Sequence, residues 1–190
     1  MLVSIIIGLK NIHVAELLTD NETEAIYDTP KRLALAIEAK IKPNVNTATL
    51  YADDGPAATE SSLGDIEVEL NIDSLSTEMQ EFLLGHEVNA EGVLIKKSDD
   101  QAPYVALGFN SPTSDGQNQF VWLYKGKFEL PEANYKTKGE NIEYQTPTIT
   151  GKFIKREFDN AWKATVMSGD AGVLETVINN WFTSVYKEAA

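Results

Sequence analysis

Apolar and polar residues alternate with a period of two along much of this chain. In RLALAIEAKIK, Arg32 to Lys42, Leu33, Leu35, Ile37, Ala39 and Ile41 fall on one side and Ala34, Ala36, Glu38 and Lys40 on the other. The composition favours helix, but strict alternation marks a strand, which Pro43 is expected to end. DIEVELNID repeats the pattern with Ile66, Val68, Leu70 and Ile72 inward against Glu67, Glu69 and Asn71, as in a half-buried antiparallel strand. APYVALGF and FVWLYKGKFEL flank the turn-forming NSPTSDGQNQ, so the three read as a long-looped hairpin. Its second arm places Phe120, Trp122 and Tyr124 on one face and Val121 and Leu123 on the other. A strand apolar on both faces has to be covered on both. LVSIIIGL, from Leu2 to Leu9, reads as an N-terminal strand. NIEYQTPTITGKFIKRE, from Asn141 to Glu157, continues in the same style, and WKATV, from Trp162, reads as a last short strand.

Two stretches change to helical period. SLSTEMQEFLLG offers Ser74 or Ser76 as N-cap, Glu78 in the first turn, Met79, Phe82 and Leu83 at helical spacing, and Gly85 as stop. GVLETVINNWFTSVYKEA, after Asp170 as cap, puts Val173, Leu174, Val177, Ile178, Trp181, Phe182 and Val185 on one stripe. Val177, Ile178, Trp181 and Phe182 are the expected docking face, either on the chain's own core or on a neighbour. The expected architecture is mainly β, a sandwich over residues 1–167 flanked by one short helix, with a C-terminal amphipathic helix over residues 168–190 after the flexible SGDAG. Ser111 to Asn118, with Ser111, Asp115 and Gly116, is long and polar enough for a mobile stacking loop, with a bland surface loop as the equal alternative.

Composition narrows the function. A chain of 190 residues, 43% hydrophobic, buries roughly two thirds of its unfolded surface in one core, or in one core plus a small appendage, with one domain as the default. The absence of cysteine excludes disulfides, thiolate metal sites and a cysteine nucleophile. Leu2 to Leu9 is far short of the ~20 residues of a membrane span, and it lacks the basic start and cleavage site of a signal peptide, so no secretion by that route is expected. The net charge of −13 disfavours tight nucleic-acid binding, which needs clustered Lys and Arg, and leaves non-adhesion to nucleic acid as an open role.

Catalytic chemistry finds little purchase. His13 and His86, the only histidines, lie in no HExxH-like spacing. There is no GxSxG elbow, and the Gly-Lys pairs at Gly126 and Gly151 lack the rest of a phosphate-cradling loop. Abundant carboxylates keep an acidic hydrolase in view without marking any pair. Trp122, Tyr124 and Phe128 interleaved with Lys125 and Lys127 admit a base-stacking platform, which core packing outweighs. No cofactor or metal is expected. A β-sandwich module binding carbohydrate or a partner protein is the alternative. TATLYADDGPAAT, Thr47 to Thr59, leaves three readings open: a metal or substrate loop, a plain turn, or an arm touching another copy. Asp53 and Asp54 lack the alternating oxygen ligands of an EF-hand, because Gly55 and Pro56 follow at once.

GLKNIHVAELLTDNETE, TATLYADDGPAAT, LSTEMQEFLLGH, APYVALGF, VWLYKGKF and YKTKGENIEYQTPTITGKF, in this order, closely resemble the major tail protein family of long non-contractile-tailed phages of Gram-positive bacteria. The similarity runs from about Gly8 to Phe158. It implies two packed sheets flanked by a helix, and a virion structural protein rather than an enzyme, assembling as hexameric rings stacked into a hollow tail tube through which duplex DNA passes without specific binding. It further implies tape-measure, tail-chaperone and tail-terminator partners, and assembly in the host cytoplasm. On this reading Tyr51, Ala52, Asp53, Asp54, Gly55, Pro56 and Ala57 form a subunit contact. Gly55 and Pro56 would fix the turn, the alanines would allow close approach and Tyr51 would anchor. Ring closure is also expected to pair sheet edges that are open in one copy.

Overall fold

The computed structural model describes residues 4–133, 135–137 and 144–188. Within them lie eleven strands and two helices. In chain order these are β1 (Lys10–Asp20), β2 (Ala25–Tyr27), β3 (Lys31–Arg32), β4 (Ala36–Ala52), β5 (Gly55–Ile72), α1 (Thr77–Leu84), β6 (Glu87–Val88), β7 (Leu94–Ile95), β8 (Val105–Pro112), β9 (Asn118–Phe128), β10 (Thr148–Ile154), β11 (Lys163–Met167) and α2 (Glu175–Asn179). The fold is mainly β, with two sheets and two helices, consistent with the expected sandwich class.

The larger sheet runs β2-β1-β8-β9-β10-β5-β4, with β3 beside β1 and β11 beside β9, while β6 and β7 form a small second sheet. All its pairings are antiparallel. The sheet curls until β1 and β4, from its two flanks, touch. The predicted inward set Ile66, Val68, Leu70 and Ile72 is fully buried inside the curl, against Ile12, Leu107, Leu123 and Phe153. Helix α1 closes this core with Met79, Leu83 and Leu84. Its caps are those the sequence predicts: Ser76 Oγ accepts from the Met79 N–H at 3.2 Å, and Gly85 turns left-handed at φ 70°.

Strand β9 is covered on both faces, as its pattern requires. Val121 and Leu123 enter the first core; Trp122 and Tyr124 enter a second, with Ala15, Ala106, Trp181 and Val185. Gly108 lets the Trp122 ring lie flat on β8, because a Cβ there would stand 2.6 Å from it. The Trp162 to Val166 expectation is met by β11.

Several expectations change. Ile5, Ile6 and Ile7 are exposed, joined to the β8–β9 turn by one bridge, Ile6 to Thr113, and the first strand proper starts at Lys10. They lie along the end of the β8–β9 hairpin, where the Ile7 N–H donates to the Pro112 carbonyl and the Ser114 N–H to the Ile5 carbonyl, and among the described residues no second layer covers them. In RLALAIEAKIK a bulge between Ala36 and Glu38 switches faces: Leu35 and Ile37 are exposed, whereas Ala34, Ala36, Ala39 and Ile41 pack on the core. Pro43 does not end the strand. β4 is the edge of its sheet, where proline is tolerated, and it continues through two further bulges to Ala52. The β8–β9 hairpin pairs as far as Pro112 and Asn118, so its loop is shorter than predicted. Asn141 to Glu143, at the start of one predicted strand, lie outside the described residues.

The C-terminal segment is helical only from Glu175 to Asn179, with Leu174 rather than Asp170 at the N-cap. The Trp122 indole N–H donates to the Trp181 carbonyl at 3.0 Å, drawing this backbone onto the second core instead of into a continuing helix. The Asn179-Asn180 pair, poor in helix propensity, makes the change easy.

Candidate assembly surfaces

The β4–β5 hairpin is far longer than the body needs. Body strand β10 accompanies β5 only as far as Ile66, opposite Phe153. From Pro43 and Ile66 outward the two strands pair only with each other, through Val45 with Leu63, Thr47 with Ser61 and Thr49 with Thr59, to Ala52 with Gly55. About ten residues at ~3.3 Å each carry this ribbon ~33 Å from the body. Val45 to Asp54 and Pro56 to Leu63 are all exposed. The turn residues are Asp53 and Asp54, left-handed at φ 48° and 61° as in a type I′ hairpin, where aspartate is among the tolerated residues.

All seven predicted contact residues therefore converge on one projecting tip. Their roles differ from the expectation in one respect. Gly55 and Pro56 lie in β5, opposite Ala52 and Tyr51, and do not make the turn. The physical reason is that two residues with left-handed backbones already reverse the chain. Tyr51 is 72% exposed. From Pro43 to Asp65 the arm carries Asp53, Asp54, Glu60 and Asp65 and no Lys, Arg or His. Its other residues are Thr, Ser, Ala, Val, Leu, Asn, Gly and Pro with Tyr51, and among the described residues no core lies beneath them.

At the foot of the arm the outer sheet face is a charge ladder. Lys40 faces Glu69 at 3.3 Å, Lys42 faces Glu67 at 3.8 Å, and Lys152 faces Glu129 at 3.8 Å. Exposed pairs like these contribute ~0.2–1 kcal/mol each but keep this face hydrophilic.

The predicted stacking loop divides. Ser111 is a buried strand residue, 5% exposed, because β8 pairs through it with Gln119 of β9. Asp115 and Gly116 do lie in the turn. Asp115 accepts from Thr113 Oγ1 at 2.5 Å and Ser4 Oγ at 3.1 Å, bonds that hold its carboxyl below the usual range.

The C-terminal docking face meets the chain's own sheet. Trp181, 2% exposed, packs by Phe120 and stacks on Tyr186, and Phe182 stacks on His13 at 4.5 Å. Val177 packs at the margin of this core, whereas Ile178 lines a cleft of about 380 Å³ with Ser168, Val173, Glu175 and Asn179. Trp122 and Tyr124, buried beneath this segment, offer no surface to a base, and Phe128 packs edge-on against Phe153.

Two ionic clusters were not anticipated from the sequence pattern. Buried Asp20 at the end of β1 accepts from Lys125 Nζ at 2.7 Å and from the N–H groups of Glu157 and Phe158. Burial pushes its carboxyl up, but these hydrogen bonds prevail and hold it below the ordinary range. Arg156, 1% exposed, grips Asp159 through Nε and Nη2 and lies 3.7 Å over the Tyr124 ring. Burial beside it pushes the hydroxyls of Tyr27 and Tyr124 up to about 12. Only the Arg-x-x-Asp spacing of Arg156 and Asp159 hinted at the second cluster.

His86 is buried with Nδ1 2.6 Å from Asp100 Oδ2, and burial lowers the pKa of His13. Among the described residues no group of three metal-ligating side chains converges, and no helix is long and apolar enough to cross a membrane.

A search of curated proteins returns no match. The family model described as "Phage tail tube protein" matches residues 37–186, from the start of the arm-bearing strand through the docked C-terminal segment. That span is well over half the chain, and this protein belongs to the phage tail tube protein family.

Proposed function

We propose that this chain self-assembles as hexameric rings stacked into the tail tube, the conduit through which the phage delivers its genome, and that the β4–β5 arm makes the subunit contact. The arm carries the reading. A two-stranded ribbon without a third strand or a packed face is at best marginally stable in water. This one projects ~33 Å at strand rise with both edges open, so it gains its packing from a second copy. The edge of β4 supports the same view: Lys40, Lys42 and Pro43 guard its foot, whereas Asn44 to Ala52 carry no charge and no proline to discourage pairing.

The assembled tube is a virion component, built in the host cytoplasm with tape-measure, chaperone and terminator partners. Each copy brings a net charge of −13, so a lumen lined by such subunits repels duplex DNA within a Debye length of ~8 Å and lets it pass without affinity. The chain is a structural component and not an enzyme. Residues 1–167 supply the tube domain and 168–190 its docked extension.

Negative-stain electron microscopy of the purified protein across a concentration series, with size-exclusion chromatography alongside, tests the proposal. Rings and hollow tubes are expected. A particle that stays monomeric at every concentration, even with a tail initiator complex added, overturns it.

A further inference from the structure

We infer that the Asp53–Asp54 tip of one copy docks on the Lys31–Arg32 edge of another; this rests on the arm being a subunit contact and names the surface that receives it.

The tip presents two carboxylates that take no hydrogen bond or ion pair from any described residue. Most described cations are occupied. Lys40, Lys42, Lys97, Lys125, Lys152 and Arg156 each face a carboxylate within 4 Å. Lys155 and Lys187 donate to Asn160 and to the Ala25 carbonyl. Lys10, Lys96, Lys127, Lys136 and Lys163 also pair with no described carboxylate, but none of them adjoins a second such cation; Lys31 and Arg32 are both exposed, adjacent and without a described carboxylate partner. Of the two other adjacent pairs, Lys155–Arg156 is held by Asn160 and Asp159, and Lys96–Lys97 is followed at once by Asp99 and Asp100, with Lys97 bound to Glu87 at 2.8 Å. Two uncompensated neighbouring cations are conspicuous in a chain of net charge −13.

The setting of the pair suits a docking edge. β3 pairs with β1 through His13–Arg32 and Val14–Lys31, and its other side is open among the described residues. Lys31 Nζ lies 4.7 Å over the Phe82 ring, and His13, opposite Arg32, stacks on Phe182. Aromatic side chains therefore lie close to both cations, where Tyr51 and Pro56 of an incoming tip find apolar contact.

The arm cannot satisfy its own chain's edge while it stays an extended ribbon, because its reach of ~33 Å is about twice the ~16 Å radius of gyration expected for a compact chain of this length. Contact is thus between copies. Tip and edge are different patches, so the contact made head to tail propagates into rings or filaments.

Charge reversal tests this. Asp53→Lys with Asp54→Lys, and separately Lys31→Glu with Arg32→Glu, should each cut tube yield about tenfold, and all four changes together should restore it. Because the chain has no cysteine, Asp54→Cys and Arg32→Cys molecules can be mixed and oxidised. A disulfide-linked pair of the two variants is expected in tubes, and none between Asp54→Cys and Lys152→Cys. Native yield from the Lys31/Arg32 reversal, together with no Asp54–Arg32 cross-link, overturns the inference. An arm shortened by joining Asn46 to its cross-strand partner Ser62 through Asn-Gly separates the two claims. Tubes made by it overturn the arm as a contact altogether, while loss of tubes there with native tubes from both reversals overturns only the receiving edge.

Discussion

The Trp122 indole N–H donates to the main-chain carbonyl of Trp181 at 3.0 Å, and Trp181 is 2% exposed. One hydrogen bond and one large apolar side chain thus fasten the C-terminal segment over the strand at the centre of the sheet. Trp181→Ala removes the packing and opens the second core, and should lower stability to urea by ~3–5 kcal/mol. A loss below ~1 kcal/mol would mean that the segment is not seated on its own sheet.

Asp20 and Lys125 form a nearly enclosed ion pair, and without Asp20 the buried Lys125 ammonium keeps only the longer contact to exposed Glu157 at 3.4 Å. Asp20→Ala should destabilise the fold by ~3–5 kcal/mol. Replacing both, as Asp20→Leu with Lys125→Met, should recover much of the loss, which a thermal-melt comparison of the three variants measures.

The same carboxylate sets a pH dependence. Asp20 and Asp159 are held below the usual carboxylate range in the folded chain, Asp20 by hydrogen bonds that outweigh burial and Asp159 chiefly by Arg156. The unfolded chain binds those protons first, so this stability is fully present above the unfolded value of ~3.9 and is lost as pH falls through the folded values. Chemical denaturation at pH 7, 5, 4 and 3 should show little change between the first two and a steep fall below pH 4.

Gly108 leaves room for the Trp122 ring 2.6 Å from where a Cβ would stand. Gly108→Ala should therefore cost ~1–3 kcal/mol through ring displacement, read as a fall in midpoint and a shift in tryptophan fluorescence.

Tyr51→Ala with Asp53→Asn should leave monomer stability within about 0.5 kcal/mol, since neither side chain is buried in one copy and asparagine tolerates the left-handed backbone at φ 48°. Tube yield should collapse. In hydrogen exchange, arm amides from Val45 to Leu63 should exchange quickly in the monomer and slowly in the tube, and equal protection in both would remove the arm from the interface.

Where a side chain's partner lies within a few residues, or one face simply needs covering, the sequence was enough. The alternation in DIEVELNID named Ile66, Val68, Leu70 and Ile72 as core, the Ser76 and Gly85 caps delimited α1, and the two apolar faces of β9 required two cores. Tertiary structure decided the rest. Alternation in RLALAIEAKIK could not show the bulge that turns Leu35 and Ile37 outward, because a bulge depends on the register of the partner strand. Pro43 signalled an end only for a strand with neighbours on both sides, and edge position is a property of the sheet. The apolar stripe from Val173 to Val185 described a helix that Trp122, about sixty residues earlier, interrupts by engaging the Trp181 carbonyl. The sequence marked a turn near Tyr51 to Ala57 through its Gly-Pro and small residues. It did not show that these residues stand at the end of a ~33 Å ribbon, because strand rise sets the length of an arm and only the place where β10 stops accompanying β5 sets where it leaves the body.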